Sequence, residues 1–399
     1  MNDLIQPFGS KDLIAPLIDK KSERDFQKIE AESLSKMYLN ESALSNIVML
    51  GSGYFSPLKG FMNSSQVMSV CKNYSLPDGL FWPVPIMNLT KSSSGYKIGQ
   101  NIALIDISRE SELCIATMEI DDIEILSDKL IDEISLHVFG TNDLAHPGVK
   151  KFKGLGNHLI SGNVQIFDLS AFPQRYPETF RTASQIREVI TNSGWSRVVA
   201  FQTRNPMHRA HEELCRMAFE RLDADGLIIH MLLGKLKEGD IPADIRDECI
   251  KKMVDCYLSD IPVFVSGYGF DMLYAGPREA LLHAIIRQNM GATHLIVGRD
   301  HAGVGDFYGA FEAQDIFDKL PNASQLKIKI FKADHTAFSK KLRKVVMMNE
   351  VHDHSPSDFT FLSGTRLRSM LENGQTPPGE VVRPEVADVL MKFYTDLNS

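Results

Sequence analysis

Between residues 182 and 298 the chain alternates helical and strand-like segments without a break, and no other feature limits its possible folds as much. ASQIREVITNSG (183–194) spaces its apolar residues along one face of a helix, and RVVAF (197–201) is a short apolar run. MHRAHEELCRMAFERL (207–222) is helical again and leads into the apolar GLIIHMLLG (226–234). Two further rounds follow: DIRDECIKKMVDCYL (244–258) with IPVFVSG (261–267), then GPREALLHAIIRQNMG (276–291) with THLIVG (293–298). Strands that are apolar throughout are buried on both faces, and a helix between two of them returns the chain to the same end of the sheet. The pattern predicts an α/β domain on a doubly wound parallel sheet, with its ligand crevice outside the carboxyl ends of the strands.

The flanking texture differs. Up to about Ile166, apolar runs such as NIVMLGSGYFSPLKGFMN, LFWPVPIMNLT and QNIALIDIS are broken at close intervals by Gly, Pro, Asn and Ser. KSSSGYKIGQ reads as a hairpin loop, and the segment as a mainly β domain with a few helices, one of them over Glu23–Met37. A small α/β domain begins near Leu326, so the expected units are 1–168, 169–325 and 326–399.

The net charge of −8 argues against a general nucleic-acid binder but leaves room for a local anion pocket. The five cysteines are scattered, with no Cys-x-x-Cys, so neither a disulfide framework nor a thiolate metal site is expected. No apolar run is long enough for a membrane span or a secretory leader, and a cytoplasmic protein is the expectation.

Two strand ends carry the chemistry. After RVVAF comes QTRNPMHRAHEEL, where Asn205-Pro206 reads as a helix start and puts His208 and His211 three residues apart on one face, near the helix's positive end. Helix amides, two imidazoles and the planar fork of Arg204 suit a tetrahedral oxyanion or a phosphate. A cap with two surface histidines is the plain alternative, and zinc is disfavoured because HEEL lacks the second His of His-Glu-x-x-His. After THLIVG comes GRDHAGVG, a tight turn with Arg299, Asp300 and His301 at its tip; Tyr308 stands where a dinucleotide fingerprint wants glycine. Lys235 and Lys237 read as solvated, and Arg278 and His283 as structural. The sequence has no P-loop and no Gly-x-Ser-x-Gly elbow, which disfavours P-loop kinases and acyl-transfer hydrolases.

QTRNPMHRAHEEL with GRDHAG resembles the signature pair of the ATP sulfurylase (sulfate adenylyltransferase) family, prokaryotic type without a kinase domain. FSPLKGFMN, HPGV (146–149), YAGPREALLHAIIR and SGTRLRSMLENGQTPPGEVVRPEV carry the resemblance over nearly the whole chain. It implies a PUA-like N-terminal domain, an α/β nucleotidyltransferase domain and a small C-terminal domain. The implied reaction joins ATP and sulfate into adenylyl sulfate and pyrophosphate, or runs in reverse, with Mg²⁺ accompanying ATP. The resemblance assigns Gln202, Arg204 and the Ala302 amide to sulfate, and Thr203, Arg204 and Asn205 to the reacting centre. It assigns His208 and His211 to the phosphates and the transition state. Nucleotide contacts fall to the same loop, Gln202 to Asn205, with Gly298, Arg299, Asp300 and His301; Met207 is placed near base or ribose and Ala333 near adenine. Some relatives bind zinc in the last domain through Cys-x-x-Cys; Ser339 and Leu342 stand there instead, so no structural zinc is expected. A homodimer is the implied assembly, with no nucleic-acid or membrane partner. An adenylyltransferase for an organic phosphate and a non-catalytic nucleotide- or RNA-binding protein are the alternative functions.

Overall fold

The computed structural model describes residues 4–108, 112–361 and 364–398. Ser363, which opens the SGTRLR segment, lies outside them. The alternating region forms a five-stranded, wholly parallel sheet in the order Val263–Tyr268, Gly226–Leu232, Val198–Thr203, His294–Val297, Lys329–Lys332. Every residue of Gly226–Leu232 is buried, as its unbroken apolar run requires. The order reverses between Val198–Thr203 and His294–Val297, which makes their carboxyl ends the topological switch point of the sheet. QTRN and GRDHAG leave those two ends.

The fifth strand, Lys329–Lys332, comes from beyond the boundary expected at 325. Its four residues pair in register with His294–Val297, so the chain remains in the central sheet to residue 332. Beyond it, Thr336–Ser339, Lys344–Met347 and Phe359–Thr360 form an antiparallel sheet, followed by helices Gly364–Glu372 and Pro384–Asn398. The last helix packs against Ala243–Tyr257.

The N-terminal region builds a seven-stranded sheet centred on His158–Ile166, antiparallel except where Ser35–Tyr38 runs parallel to Asn101–Asp106. The helix expected over Glu23–Met37 is shorter: it spans Lys21–Ala31, and Ser35–Tyr38 is an edge strand. Met37 is buried there while its strand neighbours are exposed, the period-2 pattern of a strand rather than a helix turn. NIVMLG, read as an apolar run between turns, is the end of helix Glu41–Gly51.

The N-terminal region and the central sheet share one core through helix Pro277–Asn289, all of whose residues are buried. Asn289 Nδ2 donates to the Tyr54 and Ser56 carbonyls, and Arg278 donates to the Val70, Cys71 and Pro83 carbonyls. Arg278 therefore serves the interface rather than pairing with Glu279, and its guanidinium lies 3.8 Å from the Tyr74 ring centroid. No helix among the described residues is long and apolar enough to cross a membrane.

Candidate active site

The helix after Val198–Thr203 starts later than Asn205-Pro206 suggests. It spans Arg209–Arg221, with His208 in extended conformation as its N-cap. Thr203 takes up Asn205 instead: its Oγ1 donates to the Asn205 carbonyl at 2.9 Å and accepts from the Asn205 amide at 3.1 Å. This tight turn holds residues 203–205 off the helix axis and turns Arg204 toward the second loop. His211 Nδ1 reaches back to the His208 amide at 3.5 Å, and the two imidazoles stack with centroids 3.7 Å apart. The expected His208–His211 pairing is thus present, made by an N-cap and a first-turn residue.

Arg204 bridges the two loops. Nη2 donates to the Gly303 carbonyl at 2.9 Å, and the guanidinium lies 4.8 Å from the Tyr274 ring centroid. Nη1 is buried and, like His208 Nδ1, has no hydrogen-bond partner among the described residues. Leaving such groups unmet is costly, so two buried polar atoms without partners at one cleft mark a place for a polar ligand. In the second loop Asp300 and Ala302 both take left-handed φ, 55° and 58°, which costs a non-glycine residue on the order of 1 kcal/mol. Backbone of that kind turns peptide amides into an anion-binding concavity.

Both loops open into a cavity of about 480 Å³. Gln202, Thr203, Arg204, Asn205, His208, His211, Gly298, Arg299, Asp300, His301 and Ala302 all line it. Met207 and Ala333 do not: both are buried. The Ala333 amide bonds the Val297 carbonyl and its own carbonyl accepts from Gln314, so its backbone belongs to the sheet. The neighbouring Asp334, His335 and Thr336 reach the cavity.

The far wall was not legible in the sequence. Phe338, Val345, Phe361 and Val381 come from the C-terminal segment. The Val381 carbonyl accepts from the Arg209 amide at 2.9 Å, and Arg383 holds Glu212 in a two-pronged ion pair at 2.8 and 2.6 Å. RPEV thus clamps the first turn of the histidine helix, a contact no local pattern announces. His146, from HPGV, bonds the Tyr274 carbonyl and the Tyr308 hydroxyl, bracing two aromatics beside the loops.

Burial controls the charge states. It lowers His208 to about 4 and His301 to about 3, and takes His211 well below the usual imidazole range with help from His208. All three imidazoles are therefore neutral at pH 7 before an anion arrives. Glu279, behind the second loop, is pushed up to about 7 by burial, against the pull of the Leu273 and Ala275 amides and of Arg204.

In the C-terminal sheet Ser339 Oγ and His354 Nε2 lie 2.7 Å apart, and the Leu342 amide donates to the same Oγ at 3.0 Å. No group of three or more His, Cys, Asp or Glu side chains suited to a metal ion occurs among the described residues.

Comparison with known proteins supplies an independent view. Residues 177–393 match the family model described as ATP-sulfurylase, and residues 5–169 match that of a PUA-like domain. The chain is 53% identical over 396 residues to a sulfate adenylyltransferase of Alcanivorax borkumensis, covering 99% of both. It is 51% identical over 394 residues to a sulfate adenylyltransferase of Allochromatium vinosum, again covering 99% of both. Among solved structures it is similar to a hexameric APS kinase from Thiobacillus denitrificans, with a TM-score of 0.74 at 22% identity. That match covers 98% of this chain and 68% of the other, and it bears on the fold alone.

Proposed function

This chain belongs to the ATP-sulfurylase family, and from that premise we propose that it is a sulfate adenylyltransferase working through the two switch-point loops. The overall reaction is ATP plus sulfate to adenylyl sulfate plus pyrophosphate, and by microscopic reversibility the same site runs it backwards. Sulfate is already an oxyanion at neutral pH and needs no general base. Catalysis is then the work of aligning two anions in line and stabilising charge at the α-phosphorus. A cleft rich in amide, guanidinium and imidazole donors suits that task.

The observation that carries this reading is the Arg204 guanidinium, one nitrogen tied to the opposite loop and the other buried without a partner. A fork held in this way offers a pre-oriented donor to a sulfate oxygen at little further cost in side-chain entropy. Gln202 and the Ala302 amide complete the sulfate site. Thr203 and Asn205 shape the turn around the reacting centre. The stacked His208 and His211 take phosphate oxygens, and Gly298 to His301 hold the nucleotide. Met207, fully buried, does not line the cleft.

Mg²⁺ fits these surroundings as an ion carried by the nucleotide. Asp300 and Asp334 both line the cleft, and Mg²⁺ bound to phosphates needs only one or two carboxylates and water. It would neutralise charge on the departing pyrophosphate. The test is pyrophosphate release from MgATP with and without sulfate. Release that requires sulfate supports the reading. Release that instead needs an organic phosphate, or nucleotide binding without release, would establish one of the alternatives.

A further inference from the structure

Behind the cleft, three side chains form a line from the core to the second loop. His301 Nε2 lies 3.0 Å from His283 Nδ1. His283 Nε2 has Glu279 Oε1 as its nearest ionic neighbour at 3.6 Å, slightly beyond hydrogen-bond range, and no hydrogen-bond partner among the described residues. Glu279 and His283 are fully buried, and the two Glu279 oxygens accept from the Leu273 and Ala275 amides at 3.0 Å each. His301 alone of the three reaches the cavity. The mechanism above has no use for Glu279 or His283.

We infer that Glu279 and His283 are positioning residues which, by passing a proton along this line, convert the cavity-facing nitrogen of His301 from an acceptor into a donor for polyphosphate oxygens. The inference rests on reading the cavity as a polyphosphate site. Each imidazole has two nitrogens, so the contact between them fixes the rest. With Glu279 ionised, His283 carries its proton on Nε2, facing the carboxylate. Its bare Nδ1 accepts from His301 Nε2–H, and His301 Nδ1 is left as a lone pair that repels a phosphate oxygen. One proton entering from the cavity at His301 Nδ1 shifts the line: His301 passes its Nε2 proton to His283 Nδ1, and His283 passes its Nε2 proton to Glu279 once the 3.6 Å gap between them closes. The carboxyl donates to His283 Nε2, His283 Nδ1–H donates to His301 Nε2, and His301 Nδ1 becomes an N–H donor. No imidazole is charged in either state.

The energetics favour this route over charging His301 itself. Burial and the positive charges of Arg287 and Arg204 hold His301 near 3, whereas Glu279 sits near 7. The carboxyl therefore takes up the proton in preference to the imidazole. Arg287, Arg204 and His230 disfavour a charge on His283, Tyr268 and Tyr308 border Glu279, and Arg204 with the Leu273 and Ala275 amides opposes protonation of Glu279 without outweighing its burial. Polyanion binding should therefore draw a proton into the line.

The test uses ¹⁵N-histidine NMR on the whole protein with Mg-pyrophosphate, the His301 signals being assigned by their loss in His301→Gln. Wild type at pH 8 should change from the Nε2–H to the Nδ1–H neutral form on binding, and pyrophosphate affinity should fall by up to about tenfold per pH unit above neutrality. Glu279→Gln should bind with affinity flat from pH 6 to 8 relative to wild type, and His283→Phe should do likewise if the glutamine variant folds poorly. A His301 that stays Nε2–H in the complex, becomes imidazolium, or keeps its pH dependence in a folded variant overturns the inference. Absence of pyrophosphate binding by wild type would instead refute the reading of the cavity.

Discussion

Arg383→Met should unfold the protein earlier than Glu212→Gln, although both break the same ion pair. The reason is unequal burial: the Arg383 side chain keeps 23% exposure, whereas Glu212 keeps 2%. Removing one partner from a buried pair costs about 3–5 kcal/mol, chiefly for the charge left behind. In Arg383→Met the stranded group is Glu212, which cannot turn to water. Allowing for the partly exposed geometry of the pair, we expect a loss of about 2–3 kcal/mol. At about 2–4 °C per kcal/mol for a unit of this size, the midpoint should fall by about 4–12 °C. In Glu212→Gln the stranded arginine can swing outward while its guanidinium keeps the Tyr257 ring, 4.0 Å away. The loss there should be about 1 kcal/mol. Because the Val381 carbonyl on the same strap holds the Arg209 amide, Arg383→Met should also lower turnover by displacing the His208 turn. Scanning calorimetry beside sulfate-dependent pyrophosphate release measures both effects. Equal midpoints for the two variants, or an Arg383→Met shift below about 1 °C, would refute the argument from burial.

Further outcomes follow from the same geometry. Arg204→Ala should abolish adenylyl sulfate turnover in both directions with a near-normal melting profile, and activity close to wild type would sink the sulfate assignment. His211→Ala should reduce kcat more than it weakens nucleotide binding, because its part is charge that develops during transfer; a pure binding defect in titration calorimetry would contradict that role. Acid should destabilise the fold well above carboxylate pH. Below the unfolded histidine pKa of about 6.5 the unfolded chain takes protons that buried His208 refuses, so stability falls as pH drops toward 4, by about 3 kcal/mol from His208 alone. Urea midpoints that stay level from pH 7 to 4.5 would count against those buried neutral imidazoles. Gly234→Ala should cost about 2–3 kcal/mol, because the new Cβ would stand 2.0 Å from the Phe270 backbone oxygen. Gly154→Ala, whose nearest contact is 3.4 Å, serves as the near-neutral control in thermal denaturation.

The alternation of helices and wholly apolar strands determined the central sheet, because burial on both faces removes the polar periodicity of a surface strand. It also placed both signature loops at strand ends, with residue types suited to an anion. Local pattern misled where two local signals competed. Asn205-Pro206 is a good helix start, yet Thr203 captured Asn205 and left the cap to His208. LSKMYL had enough helical residues to extend the first helix, but pairing with Asn101–Asp106 made it a strand. What only the tertiary structure decided were contacts between residues far apart in sequence. Arg204 reaches Gly303, Arg383 reaches Glu212, and His283 stands behind His301. His283 reads as structural in the sequence because it lies in a helix buried on every side, and such a helix has no periodicity that would set one residue apart from its neighbours.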